Sequence, residues 1–230
     1  MKRLLILVVL MAAAAGVAIL LMRTVARTEV TDVFTAPGPI HQVTVNADTG
    51  GITVDAGADG ALTARITRVY AFWGPDVQST AQAGAVRLVG DCPLVGVITA
   101  CSADFAIVAP ATATVDASST AGSIMVTGIS GPVTATSTAG GVAVLRSRAA
   151  RVRASSTAGD VRVEAMIAPD RVDATTSAGD VDVVVPPGSY RVDASAGAGS
   201  VNITGITRDG SSPHVITASA TAGDVTVTGR

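Results

Sequence analysis

Bulky side chains are scarce in this sequence. Six aromatic residues occur in 230, and the apolar mass is Val and Ala, so a thick, aromatic-filled core is excluded and only a thin one can form. Histidine is almost absent. His41 and His214 stand in unrelated segments, with no Ser or Cys nucleophile motif beside either, which leaves no hydrolase constellation to assemble. Cys92 and Cys101 are the only cysteines, nine positions apart in CPLVGVITAC. No further Cys or nearby His completes a zinc site, which points to a small disulfide loop, with two buried thiols as the alternative. Basic residues are also short. Without Lys2, Arg3, Arg23 and Arg27, 12 basic residues face 18 acidic ones (16 − 4 = 12), a net of −6. Nucleic-acid binding, which wants a basic face and stacking aromatics, is not expected.

One long apolar run is present. Leu4–Met22, LLILVVLMAAAAGVAILLM, carries no charge over 19 residues and is closed by Arg23 and Arg27. As a helix it would span most of a hydrocarbon layer of about 30 Å. A cleaved signal peptide is the competing reading, but cleavage near Ala12 to Ala15 would leave a mature chain starting on Val17-Ala18-Ile19-Leu20. The expectation is therefore a single-pass cell-membrane protein anchored through residues 4–22, its C-terminal domain extracytoplasmic, where disulfides persist. Residues 1–27 then form the tail and anchor, and residues 28–40, with Pro37 and Pro39, a linker.

The rest of the chain repeats. Six segments align on the Gly of an Ala-Gly corner: VDASSTAGSIMV from Val115, VTATSTAGGVAV from Val133, VRASSTAGDVRV from Val152, VDATTSAGDVDV from Val172, VDASAGAGSVNI from Val192 and ITASATAGDVTV from Ile216. The segment from Val43, VTVNADTGGITV, is a looser seventh. The corner glycines are Gly122, Gly140, Gly159, Gly179, Gly199 and Gly223. Five before each stands Ala: Ala117, Ala135, Ala154, Ala174, Ala194 and Ala218. Seven before, and two and four after, stands Val or Ile, while the positions between vary freely. Fixed apolar residues alternating with variable polar ones describe a strand with one buried face.

Each unit is thus two short strands joined at a glycine corner. Hairpins give no reason for one residue type to recur at one column, whereas a β-solenoid stacks like on like. The expected fold is all-β: a single-stranded β-solenoid with coils of about 18–24 residues, behind one N-terminal transmembrane helix. The ectodomain is 41–230, regular over 110–230. Residues 41–109 are less regular and hold the cysteine pair. Tyr70, Phe72, Trp73 and Phe105 are expected to fill a wider coil there. Stacking in chain order would set Ala135, Ala154, Ala174 and Ala194 in one inward column, Arg153 over Asp173 and Arg162 over Asp182.

The [Ser/Thr]-Ala-Gly-[Asp/Ser/Gly]-[Val/Ile]-x-Val phrase, with the links VVVPPGSYRVDA and AIVAPATATVDA, resembles a bacterial family of β-strand-repeat proteins provisionally named adhesins. This is a toast-rack-like domain of unknown function. The resemblance covers roughly residues 40–230 and implies a right-handed parallel β-helix-like domain at the cell envelope, in a sensing or scaffolding role, with no catalytic residues to carry over.

A non-catalytic scaffold binding an envelope protein or a cell-wall polymer, without cofactor or metal, is the expected function. The alternative is a polysaccharide-processing β-helix enzyme, for which Asp173, Asp193, Asp180 and Asp182 are the candidates; glycosidic chemistry would need two of them paired in a cleft. Asp160, Asp180 and Asp224 follow corner glycines, but Ser123, Gly141 and Ser200 take the same column, and the nonapeptide of calcium-binding β-rolls is missing.

Overall fold

A computed structural model describes residues 27–58, 60–93 and 100–230. Every regular element among them is a strand. Chain order runs β1 (Thr28–Ala36), β2 (Gln42–Thr49), β3 (Ile52–Gly57), β4 (Leu62–Tyr70), β5 (Asp76–Gln82), β6 (Ala85–Asp91) and β7 (Cys101–Pro110). The repeats follow as β8 (Thr114–Ala121), β9 (Ile124–Thr127), β10 (Val133–Ala139), β11 (Val142–Ser147), β12 (Arg151–Ala158), β13 (Val161–Ala165), β14 (Arg171–Ala178) and β15 (Val181–Val185). Last come β16 (Ser189–Ala198), β17 (Val201–Thr204), β18 (Thr207–Arg208), β19 (Val215–Ala222) and β20 (Val225–Gly229).

These strands build two ten-stranded walls. The first is ordered β1-β4-β7-β3-β9-β11-β13-β15-β20-β17, the second β18-β16-β19-β14-β12-β10-β8-β2-β6-β5. Each repeat contributes one strand to each wall, joined at its glycine corner. Successive repeats pair parallel and column on column: Val133 with Val152, Ala135 with Ala154, Val142 with Val161. The alternation works as the sequence implies. Val172, Ala174, Val181 and Val183 are fully buried between the walls, while the residues between them face outward. One contiguous core results, built almost entirely of Val, Ala and Ile.

Three departures from the sequence expectations are instructive. The sheets are mixed, not parallel throughout: β1 with β4, β4 with β7, and β5 with β6 are antiparallel. The stretch expected as a linker is largely β1, an edge strand laid along β4 from Thr28↔Tyr70 to Ala36↔Leu62, with Arg68 bound to Asp32. Its outward polar residues hide the strand pattern because only one side of an edge strand is sheltered. Coil order also differs from chain order. The final coil, β19–β20, lies between β14–β15 and the penultimate coil β16–β17, so Ala174 neighbours Ala218, and Ala218 neighbours Ala194. The long link 205–214 allows this, since it lets the chain step outward and return.

The same happens at the other end. β2–β3 stacks directly on β8–β9, Val45 against Ala117, and the irregular region folds outside it through β6 and β7. There the core is wider: Leu88, Phe105 and Ile107 are buried, and Gly90 leaves room where a Cβ would come within 3.0 Å of Phe105.

The single-pass membrane localisation is corrected. Residues 4–22, which carried it, lie outside the described residues, and among those described no helix is long and apolar enough to cross a membrane.

Candidate functional site

The glycine corners form one edge of the stack. Gly140, Gly159, Gly179, Gly199 and Gly223 have φ between +135° and +153°, and each lies against the corner carbonyl of the coil beneath. A feature not recognised in the sequence supports them. Three residues before Gly140, Gly159 and Gly179, an inward hydroxyl donates to the preceding coil's corner carbonyl: Ser137 to Gly122 O at 2.9 Å, Ser156 to Gly140 O at 2.9 Å, Thr176 to Gly159 O at 2.8 Å; in the last two coils Ala196 and Ala220 take this position. Ser119 does the same to Gly50 O at 3.1 Å. All four are buried. Replacing Ser156 by Ala would strip the partly buried Gly140 carbonyl of its side-chain donor, and we expect a loss of about 1–2 kcal/mol in chemical denaturation. The exposed neighbour Thr157→Ala should change little, and equal losses in the two would remove the hydroxyl ladder from the account.

One residue beyond the glycines runs a carboxylate ladder. Asp180 N–H donates to Asp160 Oδ1 (2.9 Å), Asp224 N–H to Asp180 Oδ1 (2.8 Å), and Ser200 N–H and Oγ to Asp224 Oδ1 (2.8 and 2.9 Å). The Ser200 amide and hydroxyl hold the Asp224 carboxyl below its usual range. These carboxylates tie coil to coil. Among the described residues, no group of three or more His, Cys, Asp or Glu is placed to hold a metal ion.

The four aspartates considered for glycosidic chemistry are not brought together. Asp173 and Asp193 lie on the second wall with Thr217 between them in the ladder, Asp182 lies on the first wall, and Asp180 sits at the corner. Two are also held by arginines. Arg171 grips Asp173 through Nε–Oδ2 and Nη2–Oδ1 contacts of 2.8 Å, and Arg162 Nη1 lies 2.6 Å from Asp182 Oδ2. Arg162 stands over Asp182 in register, as the repeat predicts. Arg153 stands over Asp173 as well, but Arg171 on the same strand captures that carboxylate, and the contact holds the Arg171 guanidinium above its ordinary value.

Two other places could carry chemistry. A hollow of about 370 Å³ is lined by Tyr190, Asp209, Ser211, Ser212 and His214 among others. Its Ser, His and Asp do not form a relay. His214 Nδ1 is 2.8 Å from the Pro169 carbonyl, Ser212 Oγ donates to Ser189 O, and Asp209 accepts from Ser211. The second place is the turn after β4. Phe72 and Trp73 are 63% and 56% exposed, so they do not fill the wide coil; the turn lifts them out, with Phe72 at φ +79°. Phe105 does the filling. Beside this turn, Cys92 and Cys101 form the disulfide, with Cα atoms 6.0 Å apart.

A family model described as Toastrack DUF4097 matches residues 38–228. Among solved structures, a protein provisionally named a cell adhesion protein from Clostridium sporogenes is similar at 10% identity and a TM-score of 0.47, over 88% of this chain and 100% of that one. One provisionally named an adhesin from Bacteroides fragilis shares 12% identity at a TM-score of 0.46, over 87% and 97%. No curated protein matches the chain.

Proposed function

The chain belongs to the Toastrack DUF4097 family, and from that premise we propose that it is a non-catalytic, adhesin-like binding scaffold whose outer walls engage an envelope protein or a cell-wall polymer. The observation that carries this reading is the division of labour between columns. Inward positions are held to Val, Ala and Ile in coil after coil, apart from the inward corner hydroxyls, while outward ones vary freely on strands held in fixed register. Such a stack presents rows of side chains at a spacing of about 4.8 Å, a geometry suited to an extended ligand. The polar groups that could do chemistry are spread over two walls and a corner, or tied to their neighbours, which favours binding over catalysis.

The purified protein should co-sediment with insoluble cell-wall material and be released as salt is raised to about 0.5 M, where exposed charge contacts are screened. Sedimentation no greater than that of an unrelated protein of matched size and charge would sink this reading.

A further inference from the structure

The outer faces of the two walls differ in kind. The large apolar residues exposed on strands, Val33, Val108, Met125 and Val201, all belong to the first wall. The second wall shows hydroxyls and charges, with Thr134, Arg153, Asp173, Thr217 and Asp193 forming one outward row across its strands.

On that wall and its border, cations gather. From residue 28 onward the chain has 12 basic residues against 18 acidic ones, yet six of the 12 fall between positions 146 and 171. Arg162 is paired with Asp182 on the first wall, and the other five are Arg146, Arg148, Arg151, Arg153 and Arg171. All five are exposed. Arg151 and Arg171 are direct neighbours in the ladder, an arrangement that repels. Arg171 is drawn away to Asp173; among the described residues, none of the other four has an ion-pair partner.

Two hollows of about 230 and 210 Å³ share Arg153, Arg171 and Asp173 in their lining. One continues over Thr175 and Thr217, the other over Thr134 and Arg151. Together they make one shallow groove across β10, β12, β14 and β19, about 14 Å long at three strand spacings.

We propose that this groove binds an acidic glycan. Arg151 and Arg153 hold its carboxylate or phosphate groups, and Thr134, Thr175 and Thr217 meet its hydroxyls. The groove has no aromatic anchor of the kind that dominates protein interfaces and no stacking platform for nucleobases; of its aliphatic lining, Val133 and Val152 are buried and only Pro132 is exposed. Unpartnered guanidinium groups in a net-acidic domain are the complement of spaced anions on a hydrophilic chain. The proposal rests on the binding-scaffold reading and narrows it to one face and one ligand class.

The test uses the full chain with polygalacturonate, a glycerol-phosphate polymer, neutral dextran and a single-stranded oligonucleotide as probes. One or both acidic glycan-type polymers should bind at low salt, and which one does so identifies the anionic group. The double variant Arg151→Gln/Arg153→Gln should lose at least about tenfold in affinity through its two missing charge-assisted contacts. It should also melt no lower than the parent, since a repelling neighbour is gone. Arg65→Gln/Arg208→Gln removes the same charge elsewhere and should lose less than about twofold, its effect being only long-range and screened. Binding of dextran or oligonucleotide as tight as that of the acidic polymers overturns the proposal, as does equal loss in both double variants or no binding of any probe. Cell-wall co-sedimentation separates the two levels. If the parent and Arg151→Gln/Arg153→Gln sediment equally, the groove is wrong and the scaffold stands; if neither sediments, the scaffold reading itself fails.

Discussion

Replacing Gly159 by Ala is expected to destabilise the protein by about 3 kcal/mol or more, although it adds a single methyl group. Two independent effects act at this corner. Gly159 has φ +147°, a conformation that costs an L-residue of order 1–3 kcal/mol. The new Cβ would also stand 2.5 Å from the Gly140 carbonyl oxygen and 2.6 Å from its carbon, both backbone atoms of the coil beneath. Neither can move without disturbing the Ser156 hydrogen bond to that oxygen and the parallel register on both sides. Gly210 supplies the control, because a Cβ there meets nothing within 4 Å. Chemical denaturation of both variants decides it. A Gly159→Ala loss no larger than that of Gly210→Ala would mean the coils do not approach as closely as described.

Much of this architecture was legible before any coordinates. The two-strand unit, the inward Val and Ala columns and the glycine corner all follow from a period of two that restarts at each Ala-Gly. The 6.0 Å Cα separation of Cys92 and Cys101 suits the bridge their isolation implied. What stayed hidden has a common cause. Every repeat offers the same columns to the coil above and the coil below, so the pattern specifies register without specifying which coil is the neighbour. Ala218 therefore displaces Ala194 from beside Ala174 with no change in any column. Antiparallel β1 and β5 lie at the stack's outer edges, where one side of the strand is solvated and alternation weakens.

The corner hydroxyls were the most recoverable omission. Ser119, Ser137, Ser156 and Thr176 sit two residues after the inward Ala, hence on the inward face. A hydroxyl at such a position demands a partner, and the preceding corner carbonyl is within reach. The arginine cluster was equally visible as composition. Its meaning depended on a local choice that columns do not encode, Arg171 pairing along its own strand with Asp173 and leaving Arg153 free.

The stacking order makes a sharp contrast testable in one column. Ala174 is fully buried between Ala154 and Ala218, so Ala174→Leu forces three extra heavy atoms into a filled layer and should cost about 1–3 kcal/mol or more. Had the coils followed chain order, Ala194 would be its sheltered neighbour and equally intolerant. Instead Ala194 belongs to the outermost coil, is half-buried, and has Ala218 on one side only. Leucine there can lie over the open end of the core beside Val192 and Ala196, both also half-buried, and should cost less than about 0.5 kcal/mol or add slight stability through burial. Asp173→Leu points outward and should lose only the exposed pair with Arg171, well under about 1 kcal/mol. Thermal and chemical unfolding of the three variants gives an ordering, with Ala174→Leu far below the other two. If Ala194→Leu fell as far as Ala174→Leu, the final coil would not be intercalated, and the chain would stack in the order in which it is written.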